Sequence, residues 1–244
     1  MSVRHGLAAA LLAGLAATAL PARASGLQVS PVSLQLKATQ DAEGLWLSNT
    51  GHDLLHAQVR VYQWSQSGAT DRLAPSQGLA ISPPMLEIKP GERQLVRVIR
   101  VGGPPAGAEA AYRLAIDELP LDLQGKHGLQ FVLHYSVPVF LEPPGAAPVS
   151  PQLHWQMRQH GDRVVLEVAN GGNGHAQLSA LSFIGHAGRR IDIDDGLLGY
   201  VLPGATMHWT LKQPASDFAA GGALEARING AQVTQAISLA RRAH

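Results

Sequence analysis

The sequence predicts an all-β chain built as two antiparallel sandwiches, and three observations carry that prediction. Short runs of alternating apolar and polar residues, bounded by Gly, Pro, Asn and Asp, recur about every 8–12 residues. Helical periodicity is hard to find beyond the first two dozen residues. The third observation is a weak internal repeat: Leu45-Trp46-Leu47-Ser48-Asn49-Thr50-Gly51 precedes His56-Ala57-Gln58-Val59, and Leu166-Glu167-Val168-Ala169-Asn170-Gly171-Gly172 precedes His175-Ala176-Gln177-Leu178. Each copy reads strand, Asn/Gly turn, strand. Further on, each copy reaches a Pro-Gly turn that leads into another strand, Pro90-Gly91 before 94–101 and Pro203-Gly204 before 207–211. A unit that occurs twice is too few for a solenoid, which needs at least three, and fits a duplicated sandwich.

The opening residues read as an export signal. Arg4 gives a positive start, 7–20 is an apolar run, and Ala22-Arg23-Ala24 supplies the small-x-small pattern of a signal-peptidase site, so residues 1–24 are expected to be removed before Ser25. The apolar run is shorter than the ~20 residues that span a bilayer. Losing Arg4 and Arg23 changes 19 basic and 18 acidic residues to 17 and 18, a near-neutral balance that gives no electrostatic footprint for nucleic acid. There are no cysteines, so stability rests on burial in domains of adequate size.

In the first half, strands are expected at 27–36, 45–49, 56–64, 85–88, 94–101, 112–118 and 129–141, an immunoglobulin-like count of seven. The stretch Glu142-Pro143-Pro144-Gly145-Ala146-Ala147-Pro148 follows, its prolines fixing φ and removing donors. It divides a first domain, 25–142, from a second, 149–244, with 143–148 as a stiffened linker. The second half gives 152–158, 163–170, 177–184, 189–193, 207–211, 224–228 and 232–239. Asn229-Gly230 joins the last two as a two-residue hairpin turn whose central positions both need positive φ.

The segment 129–141 is the functional lead. Leu129, Phe131, Leu133, Tyr135, Val137, Val139 and Leu141 fall on one side of an extended chain, a longer apolar face than the ~5–6 residues of an ordinary strand. A surplus of this kind is an aggregation liability in a soluble protein unless a partner covers it.

Several stretches then resemble the periplasmic pilus-assembly chaperones of the chaperone–usher pathway. They are Val29-Ser30-Pro31, Ser82-Pro83-Pro84 with Ile88-Lys89-Pro90-Gly91 and Gln94-Leu95-Val96-Arg97-Val98, Tyr112-Arg113-Leu114 with Asp117-Glu118-Leu119-Pro120, and Val137-Pro138-Val139-Phe140. They run in the family's order through most of the first domain, and the flavour is closest to the branch serving spore-coat-protein-U-like subunits. The resemblance implies a boomerang of two immunoglobulin-like domains in the periplasm, with no cofactor. It implies as partners a pilin-like subunit that lacks a strand and an outer-membrane usher, and it allows two free copies to cover each other's donor strand. It places the donated side chains at Leu129, Phe131 and Leu133, with Tyr135, Val137 and Val139 anchoring the strand at home.

Two departures stand out. The family's basic pair, which holds the subunit's C-terminal carboxylate, falls here on Ser33 and Pro138, neither of which carries charge. A buried carboxylate needs a cation or several donors, and Arg113 and Arg97, expected on neighbouring strands, are the candidate substitutes. The family's interdomain Glu, Arg and Asp map onto Glu118, Glu142 and Asp217, three acids that cannot pair with one another.

Enzymatic chemistry finds little support. No Gly-x-Ser-x-Gly elbow is present, and a cysteine nucleophile is excluded. His52 and His56 have the i, i+4 spacing of a helical metal site but lie in a predicted turn and strand, and His154, His160, His175, His186 and His208 are scattered. The run Ile191-Asp192-Ile193-Asp194-Asp195-Gly196 lacks the ligand spacing of a calcium loop and reads as a polar turn after a strand. The alternative to a donor-strand chaperone is an exported immunoglobulin-like adhesion or binding module acting through its loops.

Overall fold

A computed structural model describes residues 26–120, 132–145, 147–186 and 188–240. The first half contains β1 (Leu27–Ser30), β2 (Leu34–Leu36), β3 (Ala42–Asn49), β4 (Leu55–Ser67), β5 (Thr70–Pro75), β6 (Leu79–Ser82), β7 (Met85–Ile88), β8 (Arg93–Arg100), β9 (Ala110–Leu119) and β10 (His134–Leu141). They form one sheet in the order β1-β3-β8-β6 and a second in the order β2-β10-β9-β4-β5, with β7 also paired to β4. The second half contains β11 (Leu153–His160), β12 (Arg163–Asn170), β13 (Ala176–Gly185), β14 (Arg190–Val201), β15 (Thr206–Pro214), β16 (Gly222–Ile228), β17 (Ala231–Ile237) and β18 (Leu239–Ala240), in sheets β15-β12-β11-β18 and β14-β13-β16-β17. Among the described residues the helical structure is a single 3-10 turn, Ala215–Phe218.

Alternation explains the packing. Leu45 and Leu47 of β3, Val96 and Val98 of β8, Leu114 and Ile116 of β9, and Val137 and Val139 of β10 all point inward and are buried. The second core gathers Met157, Val164, Leu166, Val168, Leu178, Phe183 and Phe218, and it also takes in Trp64, Ala111 and Phe140 from the first sandwich. The hydrophobic interior of the second half therefore extends onto the outer face of the first.

The internal repeat has an atomic cause. Asn49 is buried, donates from Nδ2 to the carbonyls of Asp53 and Ile88, and accepts from the Gly51 N–H. Asn170, buried likewise, donates to Gly174 and Val201 and accepts from the N–H groups of Gly172 and Gln152. The Pro-Gly turns close on the same residues: Gly91 N–H donates to the Asn49 carbonyl at 2.9 Å and Gly204 N–H to the Asn170 carbonyl at 2.8 Å. Both glycines have positive φ, 76° and 74°, as a type II turn requires after proline.

Several elements differ from the sequence expectation. The strand expected at 27–36 is two strands in opposite sheets, divided at Pro31, which cannot donate to a ladder. β5 and β6 were not anticipated: every residue of β5 is exposed, so no apolar alternation announces it, and its turn places Gly68 and Ala69 at positive φ of 61° and 59°. β4 runs on through polar Ser65, Gln66 and Ser67. The run 191–196 belongs to β14, which continues to Val201 through register shifts against β13, and is not a turn. The strand expected at 232–239 leaves its sheet after Ile237, and β18 pairs with β11 in the facing sheet. Asn229 and Gly230 do take positive φ, 49° and 83°.

Candidate functional site: the open edge of β10 and the cleft beside it

The strand singled out by sequence is shorter than expected in the described residues, where β10 begins at His134 and Leu129 and Phe131 lie outside them. On one side β10 pairs with β9 along its whole length, from His134 opposite Asp117 to Leu141 opposite Ala110. On the other side it pairs in parallel with β2 only at Val139, Phe140 and Leu141. Residues His134 to Pro138 thus form an edge without a neighbouring strand among the described residues.

Pro138 reveals which way this edge points. It lacks an N–H yet sits in register with Arg113, so that pair is a non-hydrogen-bonded one, and its backbone groups face away from β9. Alternation then turns the N–H and C=O of Ser136 and His134 to the same open side. Tyr135, Val137 and Val139 face inward instead; Val137 and Val139 are buried, and the Tyr135 hydroxyl donates to the Leu27 carbonyl at 2.7 Å. Leu133 is partly buried against the same core, its N–H donating to Glu118 Oε2 and its carbonyl accepting from the Glu118 N–H.

The outer face of this sheet holds the charged groups. Arg60 and His134 both hydrogen-bond Asp117, at 2.7 and 2.6 Å. Burial pushes the Asp117 carboxyl up, but hydrogen bonds from Arg60 and His134 and their nearby charge outweigh it and hold the group below its ordinary value. A carboxylate depressed on folding stabilises the fold above its unfolded pKa of about 3.9 and loses that contribution as pH falls through the lower folded value. Asp117→Asn should therefore cost about 1 kcal/mol or less at pH 7 and progressively less as pH falls below about 3.9, measured by urea unfolding across that range.

Arg113 occupies the cleft between the sandwiches. Its guanidinium carbon lies 3.7 Å from the centre of the Trp64 ring and 5.0 Å from that of Tyr200, a residue of β14 in the second half. Its hydrogen bond to the Ser136 carbonyl is long, 3.5 Å, and burial lowers its pKa from the ordinary value. A guanidinium has five N–H donors, and among the described residues this half-buried one makes one long hydrogen bond with the Asp71 charge nearby, which leaves donors for an incoming anion. Arg113 also stands directly across from Pro138, the position at which the resemblance expects a lysine.

Arg97 is not its neighbour. It lies on β8 in the other sheet, opposite Gly44 and Ser82, and is exposed there. Ser33 is exposed in the link between β1 and β2.

The three acids of the expected hinge are not brought together. Glu118 bonds Leu133, Glu142 accepts from Gln35 Nε2 at 2.8 Å, and Asp217 pairs with Arg189 inside the second sandwich at 3.2 Å. The domain contact is made by residues the sequence did not flag. Buried Glu109 accepts from the backbone N–H of His175 at 2.6 Å and meets its Nδ1 at 2.8 Å, while the His175 ring stacks on Phe140 at 3.5 Å with planes 1° apart. Gln66 reaches across from β4, donating to the Tyr200 carbonyl at 2.9 Å and accepting from the Leu202 N–H at 2.8 Å. Among the described residues no group of three His, Cys, Asp or Glu side chains is arranged to hold a metal ion.

The comparisons with known proteins agree with this architecture. Residues 26–147 match the family described as pili and flagellar-assembly chaperone, PapD N-terminal domain. Among curated proteins none matches the chain. Among solved structures it is similar to a chain of the CsuC–CsuE chaperone–tip adhesion subunit pre-assembly complex from archaic chaperone-usher Csu pili of Acinetobacter baumannii, at 26% identity and a TM-score of 0.70, covering 88% of this chain and 99% of that one. In fold it is also similar to a chain of the complex of Salmonella enterica SafA pilin with the SafB chaperone, at 18% identity and a TM-score of 0.64 over 87% and 97% of the two chains. The E. coli chaperone DraB shares the fold at 16% identity and a TM-score of 0.59, over 88% and 97%. With two immunoglobulin-like sandwiches and half its length matched, the chain belongs to the family of pilus-assembly chaperones with a PapD N-terminal domain, which are not enzymes.

Proposed function

We propose that this chain captures a fimbrial subunit lacking a strand by lending it the open edge of β10 and the residues that precede it. The observation that carries the reading is the half-paired β10, whose upstream residues His134 and Ser136 turn their backbone groups to a side with no neighbouring strand among the described residues. An extended segment of a partner can pair there, backbone hydrogen bonds giving register and apolar pockets giving specificity. Leu129, Phe131 and the exposed part of Leu133, whose other part packs on the donor's own core, are offered to the subunit, and Tyr135, Val137 and Val139 hold the strand in that core. Arg113 receives the subunit's C-terminal carboxylate in the cleft, replacing the basic pair lost at Ser33 and Pro138.

The work is done in the periplasm after cleavage of residues 1–24, and the loaded complex is handed to an outer-membrane usher. Neither ATP nor a cofactor is required, since the subunit's own folding free energy, realised once its groove is covered, drives capture. Support comes from the family and from the A. baumannii relative, whose structure is that of a chaperone–tip adhesion subunit complex.

Ser136→Pro tests the edge directly. It removes an N–H that points to the open side and spares the ladder with β9. Co-expressed subunit should co-purify at least tenfold less, with the melting temperature within a few degrees of the parent. Undiminished co-purification would sink the reading.

A further inference from the structure

The cation of the cleft is held by a closed circuit of contacts that runs through both sandwiches. Arg113 lies against the faces of Trp64 and Tyr200. The Trp64 ring meets Tyr200 edge-on at 5.2 Å and 80°, and its Nε1–H donates to Asp71 Oδ1 at 3.0 Å. The same Asp71 oxygen accepts from Gln66 Nε2 at 2.9 Å, and Gln66 in turn grips the backbone of Tyr200 and Leu202. On its far side the Tyr200 hydroxyl accepts from Gln177 Nε2 at 2.8 Å. Trp64 and Tyr200 are 3% and 8% exposed, so neither ring can swing away without opening the interface.

Against the two rings the guanidinium makes one long hydrogen bond, to the Ser136 carbonyl, with Asp71 as a nearby negative charge, and its remaining N–H donors can face a carboxylate. One of those rings belongs to the first sandwich and the other to the second. We propose that Tyr200 and Gln66 are positioning residues for Arg113, so that the carboxylate anchor is assembled only when the second sandwich is docked on the first. This rests on the reading of Arg113 as the anchor and adds to it a dependence on the second domain. A subunit terminus seated on Arg113 then favours the docked arrangement, by the reciprocity of linked equilibria.

The test uses the full isotopically labelled chain, with sodium acetate as a minimal carboxylate and acetamide as its neutral counterpart at constant ionic strength. The Arg113 Nε–H and Trp64 Nε1–H resonances are followed. Acetate should shift both saturably in the parent and acetamide neither. Tyr200→Ala and Gln66→Ala should each raise the acetate half-saturation at least fivefold, whereas Tyr200→Phe, which keeps the ring, should stay within twofold. A purely structural role would lower the melting temperature of Tyr200→Ala and leave the half-saturation of the folded protein alone; that result overturns the proposal. Should Tyr200→Ala fail to fold, Gln66→Ala decides by the same readout. A Trp64 response to acetate that survives Arg113→Ala, or no response in the parent, overturns the anchor reading itself and the proposal with it.

Discussion

Placing glutamates at Leu129 and Phe131 together is expected to leave the protein folded and to abolish capture of its subunit. On the proposed reading, these two side chains are donated to the partner, and burying each large apolar group contributes about 1.5–3 kcal/mol. Losing both removes about 3–6 kcal/mol, a factor of at least a hundred in affinity, before the cost of pressing two carboxylates into an apolar groove is added. Leu133 is left alone because it is partly buried against the donor's own core and its backbone bonds Glu118, so a change there would mix folding with binding. The measurement is co-purification of a co-expressed subunit beside a thermal melt of the purified variant. A variant that binds normally, or one that unfolds, would show that the apolar face of 129–141 serves its own sandwich.

The rival view, an exported module acting through its loops, predicts no effect from such changes. The geometry weighs against it at a definite place. A loop-acting module gains nothing from leaving half of a strand bare, and exposed edges are normally blunted or covered. Among the described residues the bare half lies beside a cleft whose half-buried arginine has only a long hydrogen bond, to the Ser136 carbonyl. Edge and cation lie on adjacent strands in fixed register, Ser136 opposite Ala115 and Pro138 opposite Arg113, as one ligand touching both would require.

How much of this was legible in sequence depends on whether the cause is local. The match of β12 to 163–170 and the positive φ of Asn229 and Gly230 follow from alternation and turn chemistry within a few residues. The repeated Asn and Pro-Gly turns were visible because each buried asparagine ties a turn that its own neighbours build. β5 was invisible, since a strand exposed on all its residues imposes no pattern. Arg113 and Arg97 were both offered by the sequence as candidate bases, and strand register separates them, placing Arg113 opposite Pro138 and Arg97 in the other sheet. The aromatic partners of Arg113 were not legible, because Trp64 and Tyr200 meet only through docking of two domains.

The three acids, which cannot pair with one another, stand apart for a geometric reason. Glu118 stands near the C-terminal end of β9, whereas the second sandwich meets that strand at its start, where Glu109 bonds His175. Nine residues of extended chain separate the two acids by about 30 Å. Family position alone could not point to Glu109, whose bond to His175 joins the two sandwiches.

Asn170→Ala is expected to lower stability by about 3 kcal/mol or more. The amide donates to the Gly174 and Val201 carbonyls and accepts from the Gln152 and Gly172 N–H groups, and the residue is 2% exposed. Truncation leaves two donors and two acceptors to find water at a buried turn, at about 1–3 kcal/mol for each that fails. Relaxation and water entry keep the total below the sum, within the upper range of single substitutions. The site cannot relax freely, because a side chain on Gly172 would collide with the Ser150 carbonyl and the Gln152 nitrogen, so the backbone is already in close contact. Urea unfolding with the four tryptophans as reporters gives the value; Trp155 and Trp209 lie in the second sandwich and Trp46 and Trp64 in the first. Since Trp64 belongs to the second core and touches Tyr200, the loss should appear in one shared transition. Two separate transitions, with only the second domain weakened, would mean that the interface does not couple the sandwiches, and a loss under 1 kcal/mol would mean that the repeated asparagine is not what fixes the turn.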